Sequence, residues 1–335
     1  MSAATTFLPY PLALTVGIRR YAFGGRAIAL ELGKEGLPDG VVAETWEVSD
    51  HDDEGAIVTN GPYRGRRLRE LVRAFPDEVV HPGWRGPHFP LLVKFLDASQ
   101  RLPVHVHPDD ATAARRYGAP NGKSEAWHVL SAPPGASILA GVRPGVGRDE
   151  LRAACLAGAF EAVMPRHEVA SGDTVHVPGG VLHTFGPDTL IIEVQQTSDL
   201  SASVMPTDVY GRRLETEAWL ANVEETLEAL TSSVLPVPHP GDVVEDGACR
   251  RVVGCVDPSF VLERWTLHES VTADPGRGGF ATLSNVGERL VVEHAGGRHE
   301  VPKGASVLLP AALGEVVLHP SGVGDVVVCH GGHSR

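Results

Sequence analysis

The stretch SGDTVHVPGGVLHTFG (171–186) restricts the fold more than any other part of the chain. It reads as strand, tight turn, strand. Pro178 and Gly180 supply the turn chemistry, and the spacing predicts two strands that pair with each other. The turn then fixes where His183 enters the fold. Upstream, RLPVHVHPDD (101–110) sets His105 and His107 two residues apart on a strand-like segment. Residues i and i+2 of a strand point the same way. Two neutral imidazoles aimed at one spot are half of a metal site. A barrel interior can collect further ligands from other strands.

The remainder of the chain suits such a fold. Its 38 glycines and 26 prolines are spread along 335 residues, the pattern of many short strands joined by turns. Strands are expected at 41–50, 89–98, 125–132, 136–142 and 188–199. Apolar spacing of three and four predicts a helix at 68–80, ending near Pro76; 148–164, with Asp149 and Glu150 in its first turn where the helix dipole favours them, and 215–233 also read as helices. Pro236, Pro238 and Pro240 mark a linker. The expected division is 1–235, a metal-binding domain with helical additions, and 236–335, a region of short strands. Within the latter, VPKGASVLLPAALGEVVL (301–318) echoes 169–186, with Glu315 near the place of His183.

A net charge of −13, with no basic run longer than RGRRLR (64–69), argues against a nucleic-acid partner. No apolar run approaches the ~20 residues needed to span a bilayer, and the first 20 residues do not read as a signal peptide. Cys155, Cys249, Cys255 and Cys329 show no metal-site spacing. They read as free thiols in a reducing cytoplasm. A single sequence leaves the oligomeric state open.

His105 and His107, then Glu125, then Gly-x5-Pro-x-Gly-x2-His ending at His183, together resemble the two signature motifs of the cupin superfamily. The flanks narrow this. PLLVKFLDASQRLPVHVHPDD, NGKSEAWHVL, VPGGVLHTFG and IIEVQQTSDL resemble the short bacterial type I phosphomannose isomerases. So do AETWEVSDH and NGPYRGRRLREL nearer the start. The resemblance implies a mainly β fold of two cupin jelly-roll barrels, the second degenerate, with a few helices. It implies one zinc held by His105, His107, Glu125 and His183, and the donor set also suits iron, manganese or nickel. The implied reaction interconverts mannose 6-phosphate and fructose 6-phosphate through an enediol. Lys123 is implied in substrate binding or proton transfer, and Glu193 is a further implied site residue. Lys94 and Lys123 can hold one anionic group of a sugar or sugar phosphate.

Three positions depart from the family pattern. His105 stands where the family usually has Gln, Pro103 where it has Ser, and Ser203 where it has Arg. Proline offers a phosphate neither hydroxyl nor N–H, and serine does not replace a cation. Arg212 or Arg213, from YGRR, is the candidate to reach in instead. The alternatives are another metal chemistry, such as an iron dioxygenase or a sugar epimerase, or a sugar-binding cupin without catalysis. His128 and His176 near the motifs are candidate partners of the ligands, with packing or solvent as the ordinary alternative. Asp109 and Asp110 are expected to fix the turn or orient His107. Trp46 and Trp127 either stack on a sugar or pack in the core.

Overall fold

The computed structural model describes residues 6–51 and 55–332. Its strands form two pairs of antiparallel sheets. In the first pair, a six-stranded sheet runs in the order Gly17–Arg19, Glu44–Val48, Leu91–Ala98, Thr189–Gln196, Glu125–Ser131, Thr174–Val177. Its partner has five strands, in the order Ala202–Ser203, His105–Val106, Leu182–Phe185, Ser137–Ala140, Arg166–Glu168. The second pair joins a seven-stranded sheet to a four-stranded one. The helices Arg148–Ala157 and Thr216–Ala229 pack on the outer face of the five-stranded sheet, through Leu151, Ala154, Val223 and Leu227 against Val106, Leu139 and Leu182, and the fold is mainly β with few helices.

The two long central strands show how period-2 patterning builds the layers. Val93 and Phe95, with Ile192 and Val194 opposite them, point to the back of the six-stranded sheet. There they join Phe260, Leu262 and Val327 of the seven-stranded sheet in one core. The alternate residues Leu96, Ala98 and Ile191 face the five-stranded sheet and pack with Ile138, Ala140 and Phe185. Lys94 and Glu193 occupy the same inward face. Burial on both sides explains why these strands read as nearly continuous apolar runs. The N-terminal strand Leu12–Ala13 pairs with Ser306–Leu309 and so belongs to the seven-stranded sheet.

Phe89 and Phe280 lock the back-to-back layers, with ring centroids 4.6 Å apart and both side chains buried. Phe280→Ala is expected to lower unfolding free energy by ~3–5 kcal/mol, the usual loss for a buried aromatic. Urea unfolding followed by tryptophan fluorescence checks this.

The turn at 178–181 corrects the sequence expectation. Thr174–Val177 pairs with Glu125–His128 in the six-stranded sheet. Leu182–Phe185 pairs with His105–Val106 and Ser137–Ala140 in the five-stranded one. The two strands are not partners; the turn carries the chain from one sheet to the other. It is pinned to the first histidine segment. Gly180, at φ +85°, donates its N–H to the His107 carbonyl at 2.7 Å. A Cβ on Gly179 would sit 2.7 Å from Asp109 Cα, so only glycine permits the approach. The echo at 301–318 makes the same crossing, from Ser306–Leu309 to Val316–Pro320. Glu315 is exposed there.

The helix expected over 148–164 is two pieces, Arg148–Ala157 and Phe160–Val163. Gly158, in the left-handed region at φ +67°, caps the first. Likewise Leu68–Ala74 ends before Pro76, which opens the short helix Pro76–Val79.

Candidate metal centre and substrate cavity

His105 and His183 face each other across neighbouring strands, with ring centroids 4.2 Å apart. His107 completes a cluster in which one ligand atom from each histidine lies within 4.8 Å of the others. Each ring is oriented by a backbone carbonyl. His105 Nδ1 lies 2.7 Å from Pro103 O, His107 Nδ1 2.8 Å from Leu200 O, and His183 Nδ1 2.8 Å from Val181 O. A carbonyl only accepts, so each Nδ1 carries the proton and each Nε2 keeps a lone pair. Burial, with the charge of Lys123 next, pushes His107 down to about 4. Burial and the two neighbouring imidazoles hold His105 well below its usual value. All of this is the protonation state that metal ligands require.

Glu125 closes the cluster. Its Oε1 is 3.2 Å from His183 Nε2, and its Oε2 is 3.4 Å from His107 Nε2. Trp127, two residues on and so on the same face, donates Nε1–H to Oε1 at 3.0 Å. Burial pushes this carboxyl up, but the Lys123 charge beside it outweighs burial and holds Glu125 well below the carboxylate range. His183 Nε2 is buried with no hydrogen bond. Such a nitrogen is costly to leave unmade. Three imidazoles and a carboxylate around it fit a divalent transition metal.

Behind the histidines runs a ladder of buried charges on the inward face of the six-stranded sheet. Lys123 Nζ is 2.5 Å from Glu125 Oε2 and 3.5 Å from Glu193 Oε1. Lys94 Nζ is 3.1 Å from Glu193 and 3.4 Å from Glu44 Oε2. Trp46 donates to Glu44 at 2.8 Å, repeating the Glu-x-Trp arrangement of Glu125 and Trp127. Burial and the Glu125 charge raise Glu193 to about 7, against the opposing pull of Lys94 and Lys123. Burial works against the charge on Lys94, yet Glu193 and Glu44 more than compensate and hold it protonated.

These groups open on a cavity of about 240 Å3. Lys94, His105, His107, Lys123, Glu125 and Glu193 all line it, and His183 lies behind them. Arg212 and Arg213 do not. Arg212 is exposed and bound at 2.7 Å to Asp208, which also caps its loop through backbone N–H groups. Arg213 is exposed as well. Their loop reaches the rim only through Val209. Glu44, Tyr21 and Asp199 also line the cavity, and sequence reasoning missed them. For Glu44 the signal was present, since Glu44-x-Trp46 has the spacing of Glu125-x-Trp127.

The other candidates sort plainly. His128 points to the opposite face of its strand, against Thr174 Oγ1, and His176 pairs with Asp257; neither serves the cluster. Asp109 caps the turn after the histidines through Thr112 N–H, and Asp110 accepts from Gly122 N–H and Gln196. Both fix the turn, whereas His107 is oriented by Leu200.

Residues 12–131 match the family model described as phosphomannose isomerase type I, catalytic domain. The mannose-6-phosphate isomerase of Streptococcus mutans is 31% identical over 261 residues, 78% of this chain and 80% of its own. The chain belongs to the type I phosphomannose isomerase family. Within that family it also resembles the probable mannose-6-phosphate isomerase GmuF of Bacillus subtilis, 27% identical over 96% of this chain and all of the relative. The crystal structure of the mannose 6-phosphate isomerase from Bacillus subtilis superposes with a TM-score of 0.84 at 25% identity, covering 96% of this chain and 99% of that one.

For a phosphomannose isomerase family member, the departures now have structural roles. Pro103 lends its carbonyl to His105. Ser203 sits opposite His105 in the sheet, donates to Val104 O at 3.1 Å and accepts from Met205 N–H at 3.2 Å. It serves the backbone locally. Trp127→Phe removes the indole donor from Glu125 while keeping most of the ring volume. The expected result is a ~10–100-fold loss of zinc affinity, measured by competition with a chromophoric chelator.

Proposed function

We propose that this chain is a metal-dependent aldose–ketose isomerase that interconverts mannose 6-phosphate and fructose 6-phosphate or a related sugar. The observation that carries the proposal is the histidine cluster with Glu125 set directly beside the Lys123–Glu193–Lys94 charge ladder, in one cavity. In this reading His105, His107, Glu125 and His183 hold zinc, with iron, manganese or nickel as chemically competent substitutes. The cation supplies Lewis-acid polarisation of sugar oxygens. Glu193, poised near neutrality, accepts the proton from carbon 2 and returns it to carbon 1. Lys123 and Lys94 keep Glu193 in place and balance its charge while the proton is away. The hydroxyl proton passes from oxygen 2 to oxygen 1, which completes the exchange of carbonyl and alcohol.

Two further parts of the reading are proposals of organisation. The division at 235/236 assigns the site to the first unit and a degenerate cupin barrel to the second, supported by the sheet crossing that 301–318 repeats. A cytoplasmic setting is supported by four buried free cysteines. Among the described residues no helix is long and apolar enough to cross a membrane. The test of function is direct. Zinc-loaded protein is incubated with aldose in heavy water and followed by proton NMR. Loss of the carbon-2 proton with appearance of ketose supports the proposal; the absence of exchange with both mannose and mannose 6-phosphate ends it.

A further inference from the structure

We infer that the preferred substrate of this site is a neutral hexose rather than its 6-phosphate. The inference rests on the isomerase reading and concerns which sugar the cavity selects. Among the described residues, the lining carries four carboxylates, Glu44, Glu125, Glu193 and Asp199, against two cations, Lys94 and Lys123. Both lysines are buried, and each already lies within 3.5 Å of two carboxylates. A phosphate dianion is usually recognised by cations and N–H donors that make short, charge-assisted bonds. Here every lining cation is committed. With Glu193 in the ionised form that acts as base, even a divalent ion on the histidines brings the lining only to neutrality.

The wall is the wrong kind for an anion in a second respect. Tyr21, Phe23, Leu96, Leu102, Phe185 and Val209 form much of it. Aromatic faces suit the C–H face of a sugar ring, whereas a phosphate set against them loses water without gaining partners. The exposed end of the cavity bears Asp199, so a phosphate projecting from a ring whose first two carbons face the histidines meets a like charge. Nearby arginines are engaged elsewhere. Arg19 stacks on the Trp46 ring at 3.9 Å, and Arg212 is bound to Asp208. At about 240 Å3 the cavity also falls below the ~300–1,000 Å3 of pockets for larger ligands. That size suits a single hexose ring.

The experiment compares two pairs of probes on the zinc-loaded full chain. Isothermal titration with mannitol and mannitol 1-phosphate, which cannot isomerise, reads recognition alone. Carbon-2 exchange of mannose and mannose 6-phosphate in heavy water reads turnover. Mannitol is expected to bind at least ~10-fold more tightly than its phosphate, about 1.4 kcal/mol, and mannose to exchange with the higher kcat/KM by a similar factor. Ser203→Arg, which adds a cation at the lining, is expected to narrow or reverse both preferences. Equal or tighter binding of the phosphate overturns the inference, and faster exchange of mannose 6-phosphate overturns it while leaving the isomerase intact. Exchange with neither sugar defeats the isomerase reading, and the titration still decides the charge preference.

Discussion

His183→Ala is expected to abolish tight binding of a divalent cation while leaving the fold intact. The side chain is fully buried, and its Nε2 has no hydrogen bond. The apo protein therefore carries an unmet polar group whose removal relieves a desolvation penalty of ~1–3 kcal/mol, which offsets the small cavity left by the ring. The apo melting temperature should stay close to that of the parent. The metal-bound protein behaves in the opposite way. Loss of one imidazole leaves His105, His107 and Glu125, and the affinity should fall by more than the ~10–100-fold typical of losing an outer partner. Because a ligand that binds only the native state raises stability through its occupancy, the zinc-induced rise in melting temperature expected of the parent should vanish in the variant at equal zinc concentration. A retained zinc-induced shift in the variant would place the cation elsewhere and remove the histidine cluster from the mechanism.

The difference between what sequence reading reached and what it missed follows from the range of the forces involved. Imidazoles two residues apart on a strand share a face whatever the rest of the chain does, so His105 and His107 were legible. Glu125 and Trp127 obey the same local rule. Glu44 obeyed it too, but its partner Lys94 is set by the pairing of Trp46 with Lys94 across strands 48 residues apart, and register over that distance is not written in any short window. The turn at 178–181 shows the converse. Its glycines were readable as a turn, but a hairpin and a sheet crossing use the same residues. What decides between them is the carbonyl of His107 and the backbone of Asp109. Arg212 and Arg213 stay outside the cavity for an energetic reason. Asp208, four residues before Arg212, offers a local partner at 2.7 Å, and an exposed side chain gains more from it than from entering a cavity already lined with paired charges.

The last expectation concerns Glu193, whose carboxyl burial and the Glu125 charge raise to about 7. Glu193→Gln keeps the shape and a hydrogen-bonding oxygen but can neither accept nor return a proton. With Lys94 still paired to Glu44 and Lys123 to Glu125, the neighbouring charges remain matched. A fall in kcat of ~10²–10⁴ is expected, the usual contribution of a positioned base, with KM changed much less. In the parent the base form exists above the folded value of about 7, so kcat should rise with pH and level off above that point. A cation on Glu125 opposes the second-largest cause of the shift, so the apparent value in the loaded enzyme should lie at or below about 7. Stability carries an independent sign. A carboxyl raised from 4.5 to about 7 on folding makes the native state hold more protons than the unfolded chain in that interval. This group therefore costs the parent stability as pH rises through it. The glutamine variant lacks that term, so urea midpoints compared at several pH values should shift progressively in the variant's favour between those limits. A variant with parental kcat would show that Glu193 is not the proton carrier, and a stability difference independent of pH would show that folding leaves its carboxyl unshifted.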